Sequence, residues 1–248
     1  MKFAAISDIH ANSAALEAVI ADIRGNGIDD IVCLGDVASG PMEARKTIDR
    51  LIELGITTVR GNHDRYLIEQ SPEEMGSWEL PAYRQLETKH LDWLRSLPPT
   101  RIYRDDVFLC HATPANDNLY WLEAVRPDGS VCMAPLEDIA ALAEGIGQSL
   151  ILCGHTHIQR AVRLLDGRLI VNPGSVGCPG FVHNVPYDHV VQMGTPDACY
   201  AIIERRGDQW RVALRQVPYD CSAMVAAARA YGQEDWIEPL ETGWIGQR

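Results

Sequence analysis

The first quarter of the chain alternates short apolar runs with amphipathic helical stretches, and that alternation restricts it to folds built on a parallel sheet. "KFAAIS" reads as a strand. Asn12 is placed to cap a helix whose Ala15, Leu16, Val19, Ile20 and Ile23 share one face, and Gly25 and Gly27 end it. "DIVCLG" is a second buried strand. Pro41 is expected to open a second helix, with Ile48, Leu51, Ile52 and Leu54 inward and Gly55 as its stop. "ITTVRG" is the third strand. A strand-helix-strand-helix-strand run of this kind closes by right-handed crossovers into parallel pairing.

The rest of the chain changes character. Residues 65–98 read as helical pieces bounded by Pro72, Pro81 and Pro98. "RIYRDDVFLCH" reads as a hairpin or a bulged strand pair, and 113–134 as an irregular excursion. "APLEDIAALAEGIG" is a helix and "SLILCG" a strand; "RAVRLLDGRLIVNPGS" is a hairpin turning at Asp166-Gly167. Residues 178–197 read as loop, "ACYAIIERRGDQWRVALRQV" as a hairpin turning near Gly207, and "DCSAMVAAARAYG" as a last helix capped by Asp220 or Ser222. A parallel first half and antiparallel hairpins in the second predict an α/β fold of two packed sheets with helices outside. With no repeat, low-complexity stretch or linker, residues 1–248 read as a single domain.

Composition excludes several classes. The formal net charge is −12 and lysines and arginines do not cluster, which argues against nucleic-acid binding. No apolar run reaches the length of a membrane span, and the N-terminal apolar run is too short for a signal peptide. Seven cysteines without a C-x-x-C pair, several within strand-like runs, read as a reduced, cytoplasmic protein. An acidic chain that handles phosphate esters needs cations at its site.

The chemistry sits where strands end. Asp8 and His10 follow the first strand, Asp36 the second, Asn62, His63 and Asp64 the third; His111 follows "VFLC", and His155 and His157 follow "LILC". In open α/β sheets ligands bind beyond the carboxyl ends of strands. Taken singly, each of these residues is an ordinary turn or cap residue. Of these, four imidazoles (His10, His111, His155 and His157), two carboxylates (Asp8 and Asp36) and the Asn62 amide exceed what one divalent ion uses in an open site. Two ions fit if one carboxylate bridges them. An all-N/O donor set favours Mn, Fe, Zn or Co, with Mn foremost, over a structural zinc site.

The blocks D-I-H (8–10), G-D (35–36), G-N-H-D (61–64), His111 and G-H-T-H (154–157) resemble, in order and spacing, the signature of the calcineurin-like metallophosphoesterases. "NPGS" at 172–175 is similar to their small bacterial and archaeal phosphodiesterase branch, whereas "VASGP" after Asp36 departs from the Gly-Tyr-Gly common there. The resemblance implies a four-layer α-β-β-α fold. It also implies roles: Asp8, His10 and His157 on one metal, Asn62, His111 and His155 on the other, and Asp36 bridging. A hydroxide shared by the two metals would attack phosphorus. His63 would protonate the leaving oxygen and Asp64 would orient His63. Arg60 stands where an arginine contacts phosphate in related serine/threonine phosphatases; the alternative is a solvent-exposed strand-end arginine.

The expected activity is therefore dinuclear-metal phosphoesterase, as a phosphodiesterase or nucleotide-type hydrolase on a small phosphate ester. The alternatives are a serine/threonine-type protein phosphatase, a dinucleoside polyphosphate hydrolase and a non-catalytic scaffold; oligomeric state is open. Tyr120, Trp121, Phe181, His183 and Tyr187 lie on the two excursions that leave the catalytic edge, where they either stack a base or pack the loops down. His183 and His189 either line the site or face water. His90 reads as a helix-surface residue, and Asn12 as a helix cap or a neighbour of the metals.

Overall fold

The computed structural model describes residues 1–246. In chain order its elements are β1 (Lys2–Ile6), α1 (Ser13–Gly25), β2 (Ile31–Cys33), α2 (Ala44–Leu54), β3 (Thr57–Thr58), α3 (Asn62–Glu69), α4 (Glu79–Tyr83), α5 (Thr88–Ser96), β4 (Thr100–Tyr103), β5 (Val107–Cys110), β6 (Glu123–Val125) and β7 (Val131–Met133). There follow α6 (Leu136–Leu142), β8 (Leu150–Leu152), β9 (Arg160–Arg163), β10 (Leu169–Asn172), β11 (Gly180–His183), β12 (His189–Gln192), β13 (Ala198–Arg206), β14 (Gln209–Val217), α7 (Ser222–Ala230), a 3-10 turn (Glu234–Trp236) and α8 (Ile237–Thr242).

Two five-stranded sheets carry the fold, in the orders β14-β13-β1-β2-β3 and β4-β5-β8-β10-β9. β1, β2 and β3 run parallel, as do β5, β8 and β10; the outer strands are antiparallel additions. Alternation along β1 explains the layers. Phe3 and Ala5 face the second sheet and pack with Val32, Leu109, Leu152 and Val171. Ala4 and Ile6 face outward onto Leu16, Val19 and Ile20 of α1. A strand covered on both faces must be apolar at every position, which is why "KFAAIS" shows no polar alternation. The far face of the second sheet is covered by Ile139 of α6 and by Trp121. The result is a sandwich with helices outside, as expected.

Several boundaries differ from the sequence reading. α2 starts at Ala44, not Pro41, and Ile52 is exposed; the helix buries a narrower stripe, and Gly55 ends it in the left-handed region at φ 61°. The first helical piece after β3 begins at Asn62, three residues earlier than expected. Pro81 lies inside α4 rather than bounding it. Each excursion contains a two-stranded ribbon, β6-β7 and β11-β12, whose short strands lack a periodic signature. The N-cap of α7 is Cys221, while Asp220 accepts from the Ser222 amide. His90 is fully buried, not on the surface: Nδ1 accepts from the Glu87 amide and Nε2 lies 3.1 Å from Asp49.

Candidate metal centre

The carboxyl ends of β1, β2, β3, β5 and β8 meet at one edge of the sandwich, and the strand-end residues converge there. Two groups form: Asp8, His10 and His157, and Asp36, His111 and His155, with the candidate donor atoms of each within 4.8 Å of one another. His10 Nε2 lies 3.2 Å from His157 Nε2, and His157 Nε2 3.4 Å from Asp8 Oδ1. In the second group His111 Nε2 is 3.1 Å from Asp36 Oδ2 and 2.9 Å from Asn62 Oδ1. The groups abut, with His111 Nε2 4.0 Å from Asp8 Oδ1.

Backbone conformation aims these side chains. Asp8, His10, Asp36, His155 and His157 all have positive φ, between 48° and 70°. Non-glycine residues there cost of order 1–3 kcal/mol each and persist only where surroundings over-determine them. Hydrogen bonds at the outer ring nitrogens then select the tautomer. His111 Nδ1 donates to Leu34 O at 2.8 Å and His157 Nδ1 to Cys178 O at 2.8 Å, while His10 Nδ1 meets Ser39 Oγ at 2.9 Å. Each leaves Nε2 as a lone pair facing the centre.

The donor set fits divalent cations. Asp8 Oδ1 is buried without a hydrogen-bond partner. Asn62 Oδ1 faces His111 Nε2, His155 Nδ1 and Asp36 Oδ2 within 3.2 Å, and the His111 and Asp36 atoms present lone pairs once His111 carries the tautomer above. As a hydrogen-bond cluster this requires the amide to be turned over; around a cation the orientation is correct as it stands. Burial and neighbouring imidazoles push His10 and His155 down to about 3, so both are neutral donors. Burial pushes Asp36 up, but His111 and His63 outweigh it and hold that carboxylate well below the usual range. Burial also opposes protonation of His111, yet Asp36 and Asp8 outweigh it and raise the ring to about 9, a proton that a cation in this place would displace.

His63 stands beside the donors at the mouth of a cavity of about 500 Å³. Its amide donates to Asp36 Oδ1 at 2.9 Å. Its Nδ1 pairs with the carboxylate of Glu79, which is 6% exposed, and its ring stacks on Trp78 with centroids 5.0 Å apart and planes at 20°. Burial lowers the ring's affinity for a proton, but Asp36 and Glu79 reverse this and raise it above the ordinary value.

The Asp64 carboxylate is hydrogen-bonded away from the His63 ring, where the sequence reading had it orient that ring. It occupies the third position of α3, and its oxygens accept from the Gly61, Asp36 and Val37 amides at 3.0, 2.8 and 3.0 Å. A carboxylate buried there orients the Asp36 backbone; Glu79 takes the place assigned to Asp64. Burial and Asp36 raise Asp64 to about 6. Arg60 is outside the cavity lining, and its amide donates to Pro98 O. Asn12 caps α1, accepting from the Ala15 amide, and its Nδ2 donates to Gly177 O and Tyr219 Oη. Trp121 is 2% exposed and donates to Ile139 O, so it packs its excursion onto the second sheet. Tyr120, Phe181 and His183 line the cavity, and His189 is buried behind Tyr120. Glu79 and Trp78 were invisible to sequence reasoning because no motif or strand end marks them.

These features define a calcineurin-like phosphoesterase, and comparison with known proteins agrees. The model of the calcineurin-like phosphoesterase superfamily domain matches residues 1–192, and the chain belongs to that family. It is a hydrolase acting on phosphate esters, of a family that binds divalent metals. It is similar to a metallophosphoesterase of known structure from Sphaerobacter thermophilus, with 29% identity, 98% of this chain and 99% of that one covered, and a TM-score of 0.75. A hypothetical protein from Pyrococcus horikoshii OT3 shares the fold at 18% identity and a TM-score of 0.74, over 99% of both chains. An uncharacterized protein of Methanocaldococcus jannaschii is 26% identical over 267 residues, covering 99% of this chain and 96% of that protein.

Proposed function

We propose that this chain is a two-metal phosphodiesterase in which His63, held by Glu79, protonates the leaving oxygen. The observation that carries the reading is the placement of His63 on the same cavity as both donor triads, with Nδ1 tied to a buried carboxylate and Nε2 without a partner among the described residues. Asp8, His10 and His157 would hold one cation, Asn62, His111 and His155 the other, with Asp36 between them. Cations so held supply Lewis acidity, neutralising phosphoryl oxygens and making water acidic enough to attack near neutral pH. The chain's own residues do the rest. Glu79 accepts from Nδ1–H and stabilises the imidazolium, the form in which Nε2 also carries a proton that can be transferred. Trp78 holds the ring's plane, and the hydrogen bond that the His63 amide donates to Asp36 Oδ1 holds its distance from the triads. As water's oxygen bonds to phosphorus, the ester P–O bond breaks and the proton on Nε2 passes to the departing oxygen.

Manganese is our choice among the cations, Mn, Fe, Zn and Co, that a mixed imidazole and carboxylate donor set accepts. The reading treats the chain as one domain, and seven free cysteines support a reducing, cytoplasmic setting. Among the described residues no helix is long and apolar enough to cross a membrane.

The test is a substrate panel with Mn: bis-p-nitrophenyl phosphate, p-nitrophenyl phosphate, cyclic nucleotides and dinucleoside polyphosphates. Diester turnover that vanishes on exhaustive chelation and returns with Mn is expected. Full activity in a sample shown to be metal-free, or hydrolysis of the monoester alone, would overturn it.

A further inference from the structure

Among the described residues lining the cavity there is no lysine or arginine. A chain of phosphates carries charge well beyond the phosphorus under attack, and sites that take such chains answer it with guanidinium or ammonium groups. Arg65, on the helix that begins at Asn62, is committed elsewhere. Its Nε and Nη2 donate to Asp117 at 2.7 and 2.8 Å. A neighbouring cavity shares Trp78, Phe181 and Val182 and is flanked by Glu234 and Asp235, which repel anions.

The far wall offers flat rings instead. The Tyr120 and His183 centroids are 6.5 Å apart with planes at 31°. His189 stands edge-on to both at 5.5 Å, and its Nε2 lies 3.0 Å from Tyr120 Oη, so the pair is braced from below. The Tyr120 centroid is 5.3 Å from that of His155, which puts Tyr120 beside the second donor group. Burial pushes the His183 imidazole below its ordinary value, which suits a neutral stacking partner.

We propose that the cavity selects a phosphodiester with one anionic phosphate and a flat, uncharged aromatic ester group resting on Tyr120 and His183, and that it rejects polyphosphate chains. This rests on the phosphodiesterase reading. Water and the diester give a phosphomonoester and an alcohol; the ring serves binding and takes no part in bond making. A nucleobase and a simple aryl group share this chemistry, and the test separates them.

Three diesters with the same non-aromatic 2,2,2-trifluoroethyl leaving group, its release followed by fluorine NMR, are compared on the Mn-loaded protein: methyl, benzyl and thymidine-5′. Diadenosine tetraphosphate is the polyphosphate arm. Both ring-bearing esters are expected to exceed the methyl ester in kcat/KM by about the tenfold or more that one stacked ring contributes in single-strand binding proteins, with the tetraphosphate below all three. A thymidine preference over benzyl identifies a nucleobase, and equality an aryl group. In His183→Ala and Tyr120→Leu the ring-to-methyl ratio falls toward one. Val182→Lys adds a cation at an exposed rim position and is expected to raise turnover of the tetraphosphate relative to the methyl ester. Calorimetry supplies a readout independent of turnover: thymidine 5′-monophosphate should bind more tightly than tripolyphosphate. Failure on every ester overturns the phosphodiesterase reading itself. Hydrolysis of the methyl ester with a ring-to-methyl ratio near one overturns only the ring contact. A tetraphosphate rate matching the ring esters overturns the charge selection.

Discussion

At the scale of single residues, His63 is the proposed proton donor and Asp36 the proposed bridge between the cations. His63→Ala is expected to keep its metals and lose about 10²- to 10⁴-fold in kcat on alkyl esters, the usual worth of a positioned general acid. The loss should shrink on p-nitrophenyl esters, whose leaving group needs no proton; equal losses on both would remove His63 from that role. Glu79→Ala should reproduce part of this pattern, roughly tenfold or more on alkyl esters, and Glu79→Gln should recover much of it because an amide oxygen still accepts from Nδ1. KM should change little in either, and a loss confined to KM would count against Glu79 as the group that orients His63. Asp36→Asn is expected to lower the metal content of the purified protein below that of the wild type, measured by elemental analysis. Retention of full occupancy would mean that Asp36 does not bridge.

At the scale of elements, the corner between β3 and α3 brings Asp36, Asn62 and His63 together, and Gly61 is the residue that lets the chain pass. A Cβ at Gly61 would strike the Asp36 carboxylate and come within 2.6 Å of the Asp36 amide nitrogen. Gly61→Ala is expected to cost about 1–3 kcal/mol of stability, the range for overpacking a tight site, and to reduce metal content as well. A Tm and metal content unchanged from wild type would show that the corner has room. The excursion carrying Trp121 behaves differently, because its indole is buried among Leu122, Ile139 and Ile151. Trp121→Ala should lower stability by roughly 3–5 kcal/mol and leave the ratio of kcat/KM between ring-bearing and small esters unaltered.

At the scale of the whole molecule, both sheets contribute donors, so cations at the site would link them. Ligands that bind only the folded state stabilise it by about 2.7 kcal/mol at a hundred times Kd, and about 1 kcal/mol moves Tm by 2–4 °C in a chain of this size. Adding Mn to the chelated protein is therefore expected to raise Tm by about 5–11 °C in calorimetry. The absence of any shift would indicate that the triads do not hold cations.

What the sequence alone determined follows from local chemistry. Strand-like runs were readable because strands covered on both faces must be apolar throughout, and the candidate donors were readable because each directly follows such a run. Asp8, His10, Asp36, Asn62, His111, His155 and His157 all come to one edge, since parallel strands send their carboxyl ends the same way. Helix α1 was readable to its cap because the Asn12 contact is made three residues away. Other features depended on contacts between distant segments. Asp64 and Glu79 are both carboxylates near His63 in sequence, and only tertiary packing decided that Glu79 reaches the ring while Asp64 turns back to three backbone amides. The burial of His90 against Asp49 of α2, of Trp121 under α6, and the absence of lysine and arginine among the described residues lining the cavity had the same origin. A side chain's partner across the fold is set by which elements pack together, and no spacing along the chain records it.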